Sequence, residues 1–120
     1  MTTTPHPTEI RLSRDRKTLT VSFEDGFTFA YPAELLRVES PSAEVRGHTP
    51  SQRKTIGGKR HVAITAVEPV GNYAIRIAFD DLHATGIYSW TFLRELAAGH
   101  DRVWAAYLEA LKQKGLSREP

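Results

Sequence analysis

Two stretches of the chain gather side chains that could do chemistry. Between Val45 and Val67 there is no acidic residue, while Arg46, Arg53, Lys54, Lys59 and Arg60 are joined by His48 and His61. Gly47, Gly57 and Gly58 give that backbone the freedom to approach a ligand closely. Cations on a glycine-bearing loop suit a phosphate or an acidic partner, and Arg53, Lys54, Lys59 and Arg60 are the candidate anion-binding loop. A solvated connection is the simpler reading of the same composition. The loop is not a P-loop: Arg60 follows Gly58-Lys59, and Arg53 stands where that motif has its first glycine. No aromatic residues are interleaved to stack bases, so nucleic acid is not an expected partner.

The second stretch is acidic. Asp80, Asp81 and His83 lie just before Thr85-Gly86, and a histidine beside carboxylates can hold a metal or act as a general base. The run offers too few ligands for an ordinary divalent site, and turn chemistry alone accounts for the aspartates and the glycine. His6 and His100 read as surface residues, Trp90 and Trp104 as packing. There is no Gly-x-Ser-x-Gly elbow, His-Glu-x-x-His helix or Rossmann glycine series, so catalysis by this chain is not expected.

The elements that must position these residues follow from periodicity. Glu9–Ser13 and Thr18–Phe23 alternate as strands, the latter with Leu19, Val21 and Phe23 on one face, and Phe27–Tyr31 returns after a turn at Glu24-Asp25-Gly26. Pro32 opens a short helix over Ala33–Val38, and Ser40-Pro41 opens a further helical turn. A second strand group runs through Val62, Ile64 and Val67. It is broken at Pro69 and Gly71, resumes over Tyr73–Phe79, turns through Asp80–Gly86 and ends with Ile87–Trp90. Ser89 or Thr91 caps a helix that reaches Ala98 and stops at Gly99. Asp101 is the expected cap of a final helix to Lys114, with Val103, Trp104, Tyr107, Leu108 and Leu111 as its apolar face.

The halves echo one another. Phe23-Glu-Asp-Gly leading to Tyr31 and Leu36-Arg37 is matched by Phe79-Asp-Asp-Leu leading to Tyr88 and Leu93-Arg94, offset by 56 residues before the turn and 57 after it. This is either a duplication or two hairpin-to-helix units solving one packing problem, and neither makes two domains. The expected fold is α+β: one domain, antiparallel strands in two hairpin-like groups, helices packed on one side and a C-terminal amphipathic helix. Residues 1–8 are expected to be a flexible lead-in, 9–114 the domain and 115–120 a flexible tail.

Composition sets bounds on all this. A chain of 120 residues, 40% hydrophobic and 25% charged, can bury a core without staples. The absence of cysteine excludes disulfides, thiolate nucleophiles and the usual cysteine-based zinc and iron–sulfur sites. A formal charge of +2 argues for no particular polyanion. No apolar run approaches a membrane span and the start has no signal-peptide pattern, so no membrane association and a cytoplasmic location are expected.

Three segments carry a family likeness: Ser40-Pro-Ser-Ala-Glu-Val-Arg-Gly-His48, Val70-Gly-Asn-Tyr-Ala-Ile-Arg-Ile-Ala-Phe-Asp-Asp81, and His83-Ala-Thr-Gly-Ile-Tyr-Ser-Trp90 followed by Phe92-Leu93. From Pro7 to Leu111 the chain resembles the gamma-butyrobetaine hydroxylase-like N-terminal domain family, long catalogued as a domain of unknown function. In the hydroxylases of that family this domain carries zinc on a Cys-Pro-Cys-x-x-Cys motif and a later histidine after an acidic turn. The resemblance places those positions at Ser40, Ser42, Val45 and His83. Hydroxyls are poor zinc ligands and an isopropyl group is none, so it implies that the zinc is lost and that no cofactor is bound. It assigns the iron and 2-oxoglutarate chemistry to a separate, larger C-terminal domain that 120 residues cannot contain. The same domain also occurs fused to P-loop ATPases of the iron–sulfur cluster carrier type, which implies an accessory role beside such a protein partner. The expected function is therefore a non-catalytic binding or adaptor domain, with Arg46, His48, Asp80, Asp81 and His83 as its interaction surface. The alternative is a metal-binding or regulatory module related to the zinc-bearing domain of the hydroxylases.

Overall fold

Period-two alternation is strongest in Thr18–Phe23 and Ala74–Phe79, and these become the central strands of two antiparallel sheets. A computed structural model describes residues 4–46 and 54–120, without the side chains of residues 43 and 44. The first sheet has the order β1 (Pro7–Leu12), β2 (Thr18–Phe23), β3 (Thr28–Pro32). The chain continues into the short helices α1 (Ala33–Val38) and α2 (Ala43–Arg46). The second sheet has the order β4 (Ile64–Val70), β5 (Ala74–Phe79), β6 (Gly86–Ser89), followed by α3 (Trp90–Ala98) and α4 (His100–Gln113). Leu19, Val21 and Phe23 of β2 and Ile75, Ile77 and Phe79 of β5 join Leu35, Leu36 and Leu93 from the helices in one core. The architecture is α+β, as the alternation and the helical stretches predict.

Several boundaries differ from expectation, each for a local reason. β1 begins at Pro7, within the segment expected to be a lead-in, because a proline is tolerated at the first residue of an edge strand. Pro69 does not break the chain; it lies inside β4, also an edge strand, opposite Ile75. Ser89 caps α3 by accepting the Phe92 N–H at 3.0 Å. Asp101, expected to cap α4, instead sits in its first turn, and Gly99 occupies the cap position with no side-chain bond. Leu108, assigned to the apolar face of α4, is exposed, whereas Tyr107 and Leu111 are buried. The end of the chain also docks: Gly58 N–H and Arg60 N–H donate to the carbonyls of Ser117 and Arg118, and Arg118 holds Glu34 through two hydrogen bonds of 2.8 and 2.7 Å. Glu34 is buried and would be costly without such a partner.

The echo between the halves is structural in detail. Both outer hairpins carry a bulge at the matching place, between Pro7 and Glu9 and between Ile64 and Ala66. Leu19 faces Tyr31 across its sheet as Ile75 faces Tyr88. Ala33 N–H donates to Lys17 O as Trp90 N–H donates to Tyr73 O. The two halves then clasp reciprocally: Tyr31 Oη donates to Leu93 O at 2.7 Å, and Tyr88 Oη to Leu36 O at 2.6 Å. Arg94 pairs with Asp25 and Arg37 with Asp81, each arginine reaching the turn of the other half. Neither half completes its own polar contacts, so the two form one unit.

Candidate functional site

The turn between β5 and β6 is held by backbone and carboxylate together. Phe79 N–H donates to His83 O, Leu82 N–H to Phe79 O, and His83 N–H to Asp81 Oδ1 at 3.1 Å. The other carboxylate oxygen, Asp81 Oδ2, receives Arg37 Nε at 2.7 Å and Lys59 Nζ at 2.6 Å. Burial alone would raise the Asp81 carboxyl, but the hydrogen bonds from Lys59 and Arg37, and then from the His83 N–H, outweigh it and hold it down at about 2. Asp80 points elsewhere and accepts the Ala63 N–H at 3.2 Å.

Beyond this ion cluster the His83 ring enters a buried polar pocket beside α1 and α2. His83 Nε2 and Ser40 Oγ share a hydrogen bond of 3.0 Å, and Ser42 N–H donates to the same hydroxyl at 3.3 Å. Ser42 Oγ bonds Thr85 Oγ1 at 2.6 Å. Val45 is buried and donates its N–H to Ser42 O at 3.0 Å, and Arg46 closes the rim by donating Nε to Ser40 O at 3.1 Å and Nη2 to Glu39 O at 2.7 Å. Gly86 makes room for all of this: a Cβ there would stand 2.5 Å from Ser40 Oγ and 3.0 Å from Tyr88 Cε1.

Ser40 and Ser42 thus meet His83 and Thr85, Val45 is tied to the group through its N–H to Ser42 O, and Arg46 and Asp81 border it. The candidate anion loop does not converge among the described residues. Lys59 is on Asp81, Arg60 is on Glu119, and Lys54 lies some way off beside Val38 and Tyr107. Arg53 and His48 lie outside the described residues. Sequence reasoning missed Arg37 as the partner of Asp81, although the matching Leu-Arg pairs after each tyrosine were the available signal.

A model of the family "Gamma-butyrobetaine hydroxylase-like, N-terminal" matches residues 10–94. The chain belongs to this family. It is also similar to solved structures along most of its length. One, an NMR solution structure, is 43% identical with a TM-score of 0.83 and covers 98% of this chain and 93% of that one. A second NMR solution structure is 45% identical, also with a TM-score of 0.83, covering 100% and 92%. A crystal structure from Acidithiobacillus ferrooxidans ATCC 23270 is 39% identical with a TM-score of 0.65, covering 78% and 93%. That protein is described as belonging to the DUF971 family and having unknown function. No curated protein matches the chain.

Family membership makes the zinc positions testable on their own chemistry. Two neutral hydroxyls, an isopropyl group and one imidazole carry no negative charge and no soft donor, and both hydroxyls are already bonded to neighbours. A zinc ion would find one good ligand, so these residues do not fit it. Among the described residues no three His, Asp or Glu side chains gather to hold a metal, and no helix is long and apolar enough to cross a membrane. What the arrangement does is structural: hydrogen bonds close the space between α1, α2 and the β5–β6 turn.

Proposed function

We propose that this domain is a non-catalytic binding module, and that the tip of the β5–β6 turn is the surface that engages a protein partner. The observation that carries this is Leu82. It adopts φ 73°, the left-handed region that bulky residues avoid, and 91% of it is exposed. The matching position in the first half is Gly26, at φ 89°, the residue this conformation favours. A strained leucine in water, at the tip of the turn between Asp81 and His83, contributes nothing to the core; its value is to something that covers it. Catalysis is disfavoured because the reactive groups are spent internally: Ser40 is fully buried on His83, and Asp81 is neutralised by two cations.

The partner we favour is a P-loop iron–sulfur cluster carrier in the cytoplasm, on the strength of the domain fusions that the family resemblance implies. Calorimetric titration of the chain into a purified carrier of this type tests it. Saturable binding that is weakened at least tenfold by Leu82→Gly, with folding intact, is the expected result. Absence of binding removes the carrier, and equal affinity of Leu82→Gly removes the turn as the docking surface.

A further inference from the structure

Away from that turn, α4 borders a groove of about 450 Å³, within the usual ~300–1,000 Å³ range of small-molecule clefts. Its apolar lining comes from Val38 and Tyr107, both buried, with Val103, Ala106 and Ala110 along one face of α4. The small side chains of Ala106 and Ala110 leave it open, and the Tyr107 hydroxyl is already donated to Ile56 O at 2.5 Å. Two cations, Lys54 and Arg102, stand at its sides, and neither has an ion-pair partner among the described residues. The single carboxylate in the lining, Glu39, lies 3.6 Å from Arg46 Nη2. An apolar trough edged by two cations that pair with no carboxylate among the described residues, with its one anion paired, complements a ligand with an apolar body and one anionic head.

We propose that this groove binds an amphiphilic monocarboxylate, its chain along Val103, Ala106 and Ala110 and its head between Lys54 and Arg102. The site is independent of the Leu82 turn and of the protein partner there. Octanoate, butanoate and octylammonium serve as probes in amide chemical-shift titrations of the full chain. The expected result is saturable shifts at Thr55, Arg102, Ala106 and Ala110 with octanoate and roughly a hundredfold weaker binding of butanoate, because four fewer methylenes are buried. Octylammonium should produce no saturation. Ala106→Leu, at an exposed helical position, should fill the groove and abolish octanoate binding while its thermal melt stays that of the parent. Lys54→Glu combined with Arg102→Glu should reverse the preference toward octylammonium. The proposal is overturned if octanoate gives no saturable shift, if octylammonium matches it in the parent chain, or if octanoate binding survives Ala106→Leu.

Discussion

The turn from Phe23 to Phe27 and the turn from Phe79 to His83 share a frame and differ in what fills it. In both, the first phenylalanine N–H donates to the carbonyl four residues on, and an aspartate oxygen accepts the N–H two residues after itself. In both, an arginine from the other half reaches that aspartate. In the first turn Phe27 follows, and Arg94 lies over the rings of Phe23 and Phe27 at 4.9 and 4.3 Å. In the second, His83 takes that place and bonds Ser40, while Lys59 joins Arg37 on the aspartate. One strand further, Phe29 of the first half packs its ring 4.7 Å from Tyr31, whereas the matching Gly86 leaves its space to Ser40 Oγ. Whatever the halves share is architecture, so the paired aspartate and arginine are no evidence of a site. What one half has alone is His83, Ser40, Lys59 and Leu82, and of these only Leu82 is exposed and outside the hydrogen bonds and ion pairs that hold the turn.

The largest difference should appear when the two aspartates are neutralised. Asp81→Asn strands Arg37 and Lys59, both mostly buried, and should cost about 3 kcal/mol in denaturant unfolding. Asp25→Asn should leave the midpoint in place, since its carboxylate is solvent-screened and Arg94 keeps its seat on two rings. Acid titration gives the same answer independently. The Asp81 carboxyl sits at about 2 when folded against 3.8 as its ordinary value, so its contribution is complete above about pH 4 and lost as pH falls through 2. At 1.36 kcal/mol per pH unit that is about 2.5 kcal/mol, and it should vanish from the acid profile of Asp81→Asn. Equal costs for the two substitutions would mean that the halves do not differ as described.

An intermediate effect is expected at Gly86. A methyl group there meets Ser40 Oγ at 2.5 Å, so Gly86→Ala should cost about 2 kcal/mol through overpacking. In a Ser40→Ala background the obstructing oxygen is gone, and the double variant should recover about 1 kcal/mol relative to the sum of the singles. Strict additivity would show that the hydroxyl of Ser40 is not what demands the glycine.

How far the sequence shows this arrangement depends on distance along the chain. β2 and β5 are legible because alternation writes the core face directly into Leu19, Val21 and Phe23 and into Ile75, Ile77 and Phe79. The cap at Ser89 is legible because the hydroxyl acts three residues away. The Lys59–Asp81 and Glu34–Arg118 pairs leave no local trace, since nothing near either member depends on the other. Pro69 misleads because the rule against proline in strands holds for interior strands, and edge position is a property of the sheet rather than of the residue. The nearness of Ser40 and Ser42 to His83 is legible through family resemblance, not through spacing, since the whole β4–β5 hairpin lies between those segments, and the bond from Ser42 to Thr85 is legible through neither.

The smallest effects belong to the turn tips, and they bear directly on whether Leu82 is there for the fold. Gly26 has φ 89° and nothing within 4 Å of a Cβ built on it, so Gly26→Ala meets no neighbour and pays backbone strain alone, about 1 kcal/mol. Leu82→Gly runs the exchange backwards. It releases similar strain at φ 73° and gains conformational freedom in the unfolded chain, two terms of about 1 kcal/mol and opposite sign, so the net change should be near zero. A leucine packed into the core would behave quite otherwise, costing several kcal/mol on truncation, but this one is exposed and has no such burial to lose. Denaturant midpoints of the two variants decide the matter. Leu82→Gly unchanged beside a weakened Gly26→Ala leaves docking as the reason for the leucine; a loss of 2 kcal/mol or more in Leu82→Gly would return the side chain to the fold.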